Sequence, residues 1–279
     1  MAPLFVFVWS AMQIELNEQS KTIADGTTLF ALRQTEKPDA DVVILNGFPL
    51  TEDRPLREGD SVVLIRRGEV PDPEELEALM AARHTPGVHT RLKQATVGIA
   101  GVGGLGSAVA VALARSGVGR LIVADYDVVE PSNLNRQQYF VDQIGLPKVD
   151  ALQANLRRIN PCVKVAPFFG RLDRENIPQV FARVDVLVEA FDAAEQKALL
   201  VETFLTGAPT TPLVAASGMA GYAPSNSIIT RRAGSRLVLV GDGETAARVG
   251  EGLMAPRVGI AAHHQANAVL RLLLGKEPE

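Results

Sequence analysis

The sequence has little cysteine: Cys162 stands alone among 279 residues. One thiol excludes a disulfide within the chain and any zinc site built from cysteines alone, and it favours a reducing, cytoplasmic setting. The net charge is also small, −4 at pH 7, which argues against broad electrostatic binding to nucleic acid. Hydrophobic residues make up 47% of the chain, enough for a sizeable core, and the length suits about two domains of roughly 150 residues each.

Long apolar runs are missing as well. The most apolar segment, MAPLFVFVWSA at residues 1–11, ends before Gln13, short of the ~20 residues that a membrane span requires. Neither the basic start nor the small-residue cleavage site of a secretory signal is evident. We therefore expect an extra strand or a disordered tail here, and neither a membrane anchor nor a targeting segment.

Residues 12–67 carry the pattern of a small α+β domain. Alternating and apolar runs predict strands at 13–16, 21–23, 41–45 and 61–65, and the capping segment Asp25-Gly-Thr-Thr28 predicts a helix over 29–36. Asn46-Gly47 is a strong signal for a two-residue hairpin turn. The order ββαββ fits a β-grasp, the fold of ubiquitin, and we assign this domain to residues 1–67.

The rest of the chain alternates strands with helices. Residues 68–95 are predicted to form a linker, in which Pro71 and Pro73 end the preceding strand, and an N-terminal helix that starts at Pro73 and reaches about His84. In residues 96–279, strands are predicted at 97–100, 121–124, 163–167, 184–189 and 212–216, and helices at 105–115, 147–159, 174–182 and 193–206. The alternation predicts an α/β domain with a Rossmann-like, mostly parallel sheet and helices on both faces.

A glycine-rich turn joins the first of these strands to its helix. Gly101, Gly103 and Gly106 have the G-x-G-x-x-G spacing that lets phosphates approach a helix N-terminus. Asp125 follows Gly106 by 19 residues, where a ribose-binding carboxylate is expected. Alternatively, the glycines only allow close packing of helix on strand and Asp125 only caps a turn. The combination favours a nucleotide site.

The segment after Asp125 is too polar for a simple dinucleotide site. Lys148 follows Arg136 by 12 residues, at the start of a predicted helix. Two cations and several amides near one nucleotide suit a triphosphate better than a nicotinamide. The dense polar run consists of Asn133, Asn135, Arg136, Gln137 and Gln138.

Four motifs resemble those of the ThiF/MoeB/HesA adenylyltransferases, relatives of the ubiquitin-activating enzymes. They are GVGGLG at 101–106, DYDVVEPSNLNRQ at 125–137, GLPKVDAL at 145–152 and INP at 159–161, and the similarity extends from about residue 92 to residue 274. The S-N-L-N-R-Q run after a strand that ends in Asp-x-Asp is highly specific. EAFDAAEQK at 189–197 and SGMAGYAPSN at 217–226 resemble a shorter ThiF subfamily.

The resemblance implies a chemistry and a set of site residues. The C-terminal glycine carboxylate of a small ubiquitin-like sulfur carrier attacks the α-phosphate of ATP, pyrophosphate leaves, and an acyl-adenylate forms. Cations should stabilise the charge that accumulates on the phosphates. The implied residues are Gly101, Gly103, Gly104, Asp125, Asp127 and Gln137 for the nucleotide, Asn133, Arg136 and Lys148 for the phosphates, and Asp192 for Mg²⁺. Any one of these alone could be an ordinary surface or capping residue.

In this family a further cation comes from the N-terminal helix of the partner subunit. Arg83 is the better candidate for this catalytic role and Arg91 the weaker one, with a solvated arginine at a helix end as an equal alternative. If Arg83 acts in trans, the active unit is a homodimer.

The chain also departs from longer relatives of the family. These carry two Cys-x-x-Cys pairs for structural zinc, and some carry a catalytic cysteine after the strand near position 215. Neither feature is present here, so we expect no zinc and no thioester or persulfide step. Cys162 is interpreted as a packing residue, and the reaction should stop at the adenylate.

The N-terminal domain resembles ThiS, the sulfur carrier itself. A working carrier ends in Gly-Gly with a free carboxylate, whereas this domain reads Gly68-Glu69 and continues as chain. It cannot be the substrate in this form. It is either a structural or dimer-forming appendage, which we favour, or a mimic that regulates access to the site; a tethered competitor would suppress turnover unless it bound weakly.

The predicted function is ATP-dependent adenylation of a separate ThiS-like carrier ending in Gly-Gly, for the thiazole branch of thiamine synthesis. A first alternative is an enzyme related to the tRNA threonylcarbamoyladenosine dehydratases. The basic residues Arg231, Arg232 and Arg236 could contact RNA in that case, but a solvated face is their default interpretation. A second alternative is a non-catalytic nucleotide-binding scaffold.

Overall fold

The chain forms two compact units, residues 1–83 and 84–279, each with its own core. The computed structural model describes residues 11–82, 84–85 and 87–279. The prediction of an extra strand or tail concerns residues 1–11, all but the last of which lie outside the described residues. Arg83 lies outside them too. Within the described ranges, no helix is long and apolar enough to cross a membrane.

The N-terminal unit is the predicted β-grasp. Its sheet has the order β2-β1-β5-β3-β4, with the parallel pair β1 and β5 in the middle. Asn46 and Gly47 both have positive φ, 51° and 84°, which is the geometry of the predicted hairpin turn. The elements are β1 Ala11–Leu16, β2 Gln19–Ala24, α1 Leu29–Glu36, β3 Val42–Leu45, β4 Phe48–Pro49, β5 Ser61–Ile65 and α2 Pro73–Ala81.

The C-terminal unit is the predicted Rossmann-like domain. Its sheet has the order β11-β12-β10-β9-β6-β7-β8, in which β11 alone of the described strands runs antiparallel to its neighbour. The elements are α3 Val88–Gln94, β6 Thr96–Ala100, α4 Gly104–Arg115, β7 Arg120–Asp125, α5 Lys148–Ile159, β8 Lys164–Phe169, α6 Ile177–Val180, β9 Val186–Glu189, α7 Ala194–Gly207, β10 Leu213–Ala216, β11 Ile229–Arg232, β12 Leu237–Gly241 and α8 Ala255–Leu273.

Helices cover both faces of this sheet. Strand residues that point to one face of the sheet, such as Val97 and Val123, pack into a cluster with α4, α5 and α8. Strand residues that point to the other face, such as Leu187, pack with α6 and α7. The sheet is therefore buried on both sides, which explains why its central strands read as continuous apolar runs.

Several elements differ from the sequence prediction. Strands β4, β11 and β12 and helix α3 were not predicted. The helix predicted over 174–182 is the single turn Ile177–Val180, because Asp173 accepts hydrogen bonds from the N–H groups of Glu175 and Asn176 and forms a turn there instead.

The outer strands of this sheet carry features that limit further pairing. Strand β8 contains Pro167, which has no N–H group to donate. At the opposite edge, Arg232 of β11 donates its backbone N–H to Glu279 at 2.7 Å and its guanidinium to Glu277 at 2.7 Å. The two C-terminal glutamates thus lie beside the end of β11.

Strand β6 lies at the centre, and the order of the sheet reverses beside it. The chain passes from β6 to β7 and β8 on one side, then returns to β9 and β10 on the other. In parallel sheets this reversal opens a crevice at the carboxyl ends of the strands. The glycine turn that follows β6 lies in this crevice.

Candidate active site

A cleft of about 400 Å³ opens at the carboxyl ends of β6, β7, β9 and β10. This is within the range of small-molecule sites. The walls include the start of α4, the segment after β7, the start of α7 and the segment that precedes α8. The residues predicted from sequence that line it are Gly101, Gly103, Gly104, Asp125, Asp127, Arg136, Gln137, Lys148 and Asp192.

The glycine turn is shaped by close backbone contacts. Gly101 has φ of +87°, and a Cβ on Gly106 would lie 1.9 Å from the Gly101 carbonyl oxygen. Gly103 differs, because a Cβ there would have Gln137 Nε2 as its nearest neighbour, at an ordinary 3.7 Å. Gly101 and Gly106 are thus required by the protein itself, whereas Gly103 leaves space in the cleft.

Asp125 ends β7 and is held by the turn. One carboxylate oxygen accepts from the N–H of Val102 at 2.8 Å and the other from the N–H of Asp127 at 2.9 Å. Burial raises the pKa of Asp125, although these two hydrogen bonds and the charge of Lys148 oppose the shift. Tyr139 donates its hydroxyl to the Val102 carbonyl at 2.7 Å and holds the same turn from behind. Each Asp125 oxygen keeps lone pairs that a ligand hydroxyl could use.

Lys148 begins α5 and forms an ion pair with Asp127, Nζ to Oδ2 at 2.8 Å. The lysine side chain is 7% exposed and the aspartate 48% exposed, so the pair has a buried cation and a half-exposed anion. An ammonium has three protons. Within the described residues one of them is used, and two remain for a ligand in the cleft.

Arg136 and Gln137 bring unsatisfied polar atoms to the same cleft. Arg136 donates through Nη1 to the Ser132 carbonyl at 3.1 Å and to Asn135 Oδ1 at 2.8 Å, while its Nε is buried without a partner. Gln137 Oε1 is also buried and unpaired. A buried polar atom without a partner costs about 1–3 kcal/mol. The arrangement therefore favours a polar ligand at this position.

Asp192 lies between β9 and α7 with its side chain exposed. No described residue forms a hydrogen bond or ion pair with it, unlike Asp125 and Asp127 on the other side of the cleft. The described residues hold no cluster of three potential metal ligands. A divalent cation at Asp192 would therefore take most of its ligands from the bound substrate and water, as Mg²⁺ commonly does.

Two functional candidates, Glu189 and Lys197, were not singled out from sequence. Lys197 lines the cleft and donates to both carboxylate oxygens of Glu189 at 2.9 Å. Burial raises the pKa of Glu189, opposed mainly by the charge of Lys197. A signal was present: a glutamate ends the apolar run Val186-Leu-Val-Glu189, with a lysine eight residues later.

Two other predicted residues, Asn133 and Arg91, do not line the cleft. Asn133 is buried in a short turn, where its side chain accepts from the N–H of Glu130 at 3.1 Å, and it does not line the cleft. Arg91 donates to the Leu274 carbonyl at 3.1 Å and so joins α3 to the end of α8. The phosphate role of Asn133 and the trans role of Arg83 stay predictions.

The solvated-face interpretation is wrong for Arg236. Its guanidinium donates to the carbonyls of Leu205 at 2.7 Å and Ala208 at 2.5 Å, and so caps the C-terminus of α7. Arg231 and Arg232 are exposed. Arg236 is thus a structural residue and not part of a basic surface.

Arg257, at the start of α8, is almost completely buried and holds the wall of the cleft. It donates to Asp242 at 2.5 Å and to the carbonyls of Ala223 and Pro224 at 2.9 Å. Burial acts to raise the pKa of Asp242, but hydrogen bonds from Thr245, Glu244 and Arg257 outweigh it and lower the pKa to about 2. Thr245 itself lines the cleft, so this cluster fixes that side of the site.

Comparison with curated proteins shows relatives of several kinds. SAMP-activating enzyme E1 of Haloferax volcanii is 43% identical over 111 residues, 39% of this chain and 41% of that protein. Adenylyltransferase and sulfurtransferase MOCS3 of Xenopus laevis is 37% identical over 130 residues, 46% and 28% of the two chains. The tRNA threonylcarbamoyladenosine dehydratase of Bacillus subtilis is 38% identical over 131 residues, 46% and 51%. The chain spans from about a quarter to half of the length of such relatives.

Solved structures share the fold. The E. coli tRNA N6-threonylcarbamoyladenosine dehydratase in complex with AMP superposes with a TM-score of 0.66 at 21% identity, over 74% of this chain and 98% of that one. E. coli MccB with ATP gives a TM-score of 0.53 at 24% identity, over 68% and 59%. At these identities the likeness is one of fold.

Family comparisons cover both units. Residues 12–68 match the ThiS-like ubiquitin family, which agrees with the β-grasp sheet of the N-terminal unit. Residues 77–279 match the ThiF family, well over half of the chain. Together with the glycine turn and the cations around the cleft, this match establishes that the chain belongs to the ThiF family.

Proposed function

We propose that this protein uses ATP and Mg²⁺ to adenylate the C-terminal glycine carboxylate of a separate ThiS-like sulfur carrier. The observation that carries the proposal is that three side chains with unused capacity for hydrogen bonds or a metal ion line one cleft. Arg136 has an unpaired Nε, Lys148 has two unused protons, and Asp192 has a carboxylate with no partner among the described residues. A triphosphate with its metal supplies the acceptors and the cation that these groups lack.

ATP suits the cleft for further reasons. Gly103 leaves room for a phosphate at the N-terminus of α4, where the helix dipole and free N–H groups favour an anion. Asp125 lies at the end of the neighbouring strand and retains lone pairs for ribose hydroxyls. The related folds that were solved with AMP or ATP support the same ligand.

The residues would divide the chemistry between them. The carrier carboxylate attacks the α-phosphorus, a new P–O bond forms, and the bond to the β-phosphate oxygen breaks as pyrophosphate leaves. Arg136 and Lys148 offset the negative charge that develops on the phosphates, in a partly buried site where such interactions are strong. Asp192 would hold Mg²⁺, which when bound neutralises and orients the phosphates.

A ThiS-like protein is the favoured substrate because the chain carries a ThiS-like unit of its own. That unit continues from Gly68 into Glu69, so it has no carboxylate to activate, and a separate carrier ending in Gly-Gly is required. The similarity to relatives named for SAMP activation and for sulfur transfer also supports such a substrate. We assign the reaction to the thiazole branch of thiamine synthesis and the N-terminal unit to a structural or dimer-forming role.

Carrier-dependent exchange of labelled pyrophosphate into ATP tests the proposal. The purified protein, ATP, Mg²⁺ and a panel of β-grasp carriers ending in Gly-Gly should give exchange with at least one carrier. The same carriers lacking the last glycine serve as matched controls and should give none. Absence of exchange with every carrier would refute carrier adenylation.

The homodimer is tested by complementation. If Arg83 acts on the cleft of the partner subunit, an Arg83→Ala chain mixed with an Asp192→Ala chain should recover partial exchange activity. Each variant alone should be inactive. Confirmed mixing of subunits without recovery would show that Arg83 does not act in trans.

A dehydratase acting on tRNA threonylcarbamoyladenosine is the second candidate. One observation favours it: a solved dehydratase matches this fold over almost its whole length. ATP turnover stimulated by modified tRNA, with salt-sensitive tRNA binding, would select this function. Turnover stimulated by a Gly-Gly carrier and indifferent to tRNA would exclude it.

A further inference from the structure

Glu189 and Lys197 meet beside the cleft, where β9 and β10 separate. In-register pairing of the two strands reaches Val188 and Val214. Beyond it the Glu189 side chain replaces the ladder, because its carboxylate accepts from the N–H of Ala216 at 3.3 Å. The side chain is 1% exposed, so the bridge lies in the protein interior. It fixes the gap between the two strand ends.

All three ammonium protons of Lys197 are used in hydrogen bonds to residues of β9 and β10. It donates to the two oxygens of Glu189 at 2.9 Å each and to the Ala216 carbonyl at 3.0 Å. An ammonium has three protons, so none remains for a ligand. Lys148, the other lysine of the cleft, uses one proton within the described residues. The two lysines therefore differ in role although both line the site.

The bridge also reaches the candidate metal-binding residue. Glu189 accepts from the N–H of Phe191 at 2.7 Å, which fixes the backbone immediately before Asp192. On the other side, Ala216 precedes Ser217 and Gly218, which line the cleft. One carboxylate thus sets the position of two segments of the cleft wall at once.

We propose that the Glu189–Lys197 pair is a positioning device that holds the Asp192 segment at a fixed distance from the Ser217–Gly218 wall. Neither residue touches the substrate. The pair acts by keeping Asp192 where it can share a divalent cation with the phosphates, and in this respect the inference rests on the proposed function. A glutamine at 189 cannot replace the carboxylate, because its NH₂ group would face N–H donors.

Amide hydrogen exchange of the nucleotide-free protein provides the first test. In Glu189→Gln, the amides of residues 190–194 and 214–218 should exchange about tenfold faster or more than in the wild type, as local opening becomes easier. Glu195→Gln is the matched control, because Glu195 is exposed in the first turn of α7 and undergoes the same chemical change. Unchanged protection in Glu189→Gln would overturn the proposal whether or not the protein binds ATP.

Binding of a fluorescent ATP analogue, titrated with Mg²⁺, provides the second test. Glu189→Gln should raise the Mg²⁺ concentration for half-maximal binding about tenfold or more, as expected for a residue behind a metal ligand, and leave metal-free binding within about twofold. If the wild type does not bind the analogue, the proposed function fails. If Asp192→Ala shifts the Mg²⁺ dependence and Glu189→Gln does not, this inference alone fails.

Variants of Lys197 decide the matter if Glu189→Gln does not fold. Lys197→Arg keeps the charge and the donors and should stay within about threefold of the wild-type Mg²⁺ dependence. Lys197→Met removes them and should show the large shift. Equal Mg²⁺ dependence in the two variants would overturn the proposal.

Discussion

The two units of this protein differ in what they bury. In the described part of the chain, every buried polar or charged side chain belongs to the C-terminal unit. The core of the N-terminal unit consists of hydrophobic residues such as Leu29 and Val62. The buried polar residues are Ser107, Asp125, Asn133, Gln137, Gln143, Lys148, Asn155, Asn160, Glu189, Arg257 and Gln265.

Two ion pairs, one from each unit, show a difference of the same kind. In the Arg66–Asp39 pair of the N-terminal unit both side chains are more than half exposed, and such a pair contributes about 0–1 kcal/mol. The C-terminal unit also has exposed pairs, such as Arg174 with Glu202, but its Arg257–Asp242 pair is buried, and loss of one partner is costly there. Three of the buried polar residues, Asp125, Gln137 and Lys148, line the cleft, and four changes test the contrast between the units.

Arg136→Ala should have the largest effect. Loss of a cation that stabilises developing charge should lower the rate of pyrophosphate exchange about 10²–10³-fold, with the melting temperature nearly unchanged. Arg67→Ala is the matched control, because Arg67 is an exposed arginine of the N-terminal unit. Exchange within a few-fold of wild type for Arg136→Ala would contradict the assigned role.

Leu29→Ala should separate the units by stability. Leu29 is fully buried in the N-terminal core, and its truncation should lower the unfolding free energy of that unit by about 2–5 kcal/mol. ATP binding should persist. Leu121→Ala, in the core of the C-terminal unit, should weaken both stability and binding. Hydrogen exchange resolved by segment, together with ATP titration, measures both. Equal loss of binding in the two variants would remove the contrast.

Asp242→Asn should reveal a pH dependence in the C-terminal unit. Because the folded pKa of about 2 lies below the ordinary 3.8, ionised Asp242 stabilises the fold above pH 3.8 and this contribution fades as the pH falls toward 2. The variant should be about 1.5–3 kcal/mol less stable than wild type at pH 7, with the difference shrinking below pH 3.8. Denaturant unfolding at a series of pH values measures this. Asp39→Asn, in an exposed pair, should differ by less than about 1 kcal/mol throughout; a constant difference for Asp242→Asn would refute the pKa shift.

Gly103→Ala should have the smallest effect, and it should change only the affinity for ATP. The new methyl group meets ordinary contacts in the free protein, so the melting temperature should change little. It should weaken ATP binding about tenfold or more, because a phosphate that approaches the backbone needs that space. Gly207→Ala is the control, since a Cβ there meets no atom within 4 Å. Unchanged ATP affinity would show that the nucleotide does not approach Gly103.

Much of the architecture could be predicted from sequence because local patterns specify it. The glycine turn after β6, the Asn46-Gly47 hairpin and the apolar parallel strands each have a local signature. Strand β11 does not, because Ile229-Thr-Arg-Arg232 is short and polar and becomes a strand by pairing with β12. The helix predicted over 174–182 was overestimated because Asp173 favours a turn at its start.

It was harder to predict which side chains of the site contact each other. The positions of Arg136 and Lys148 follow from motif and helix start, but no pattern shows that Lys148 meets Asp127. The same holds for Glu189 and Lys197, which are brought together by the turn between β9 and α7. Such pairs depend on tertiary structure, which sequence periodicity does not encode.

The margins of the seven-stranded sheet have a consequence for behaviour in concentrated solution. An exposed strand edge is a template on which another chain can add a strand and begin to aggregate. Here Pro167 interrupts the row of donors on β8, and the C-terminal glutamates occupy a donor and a side chain of β11. An incoming strand therefore meets an incomplete ladder on both sides. We therefore expect the sheet that forms the cleft to resist growth into fibrils.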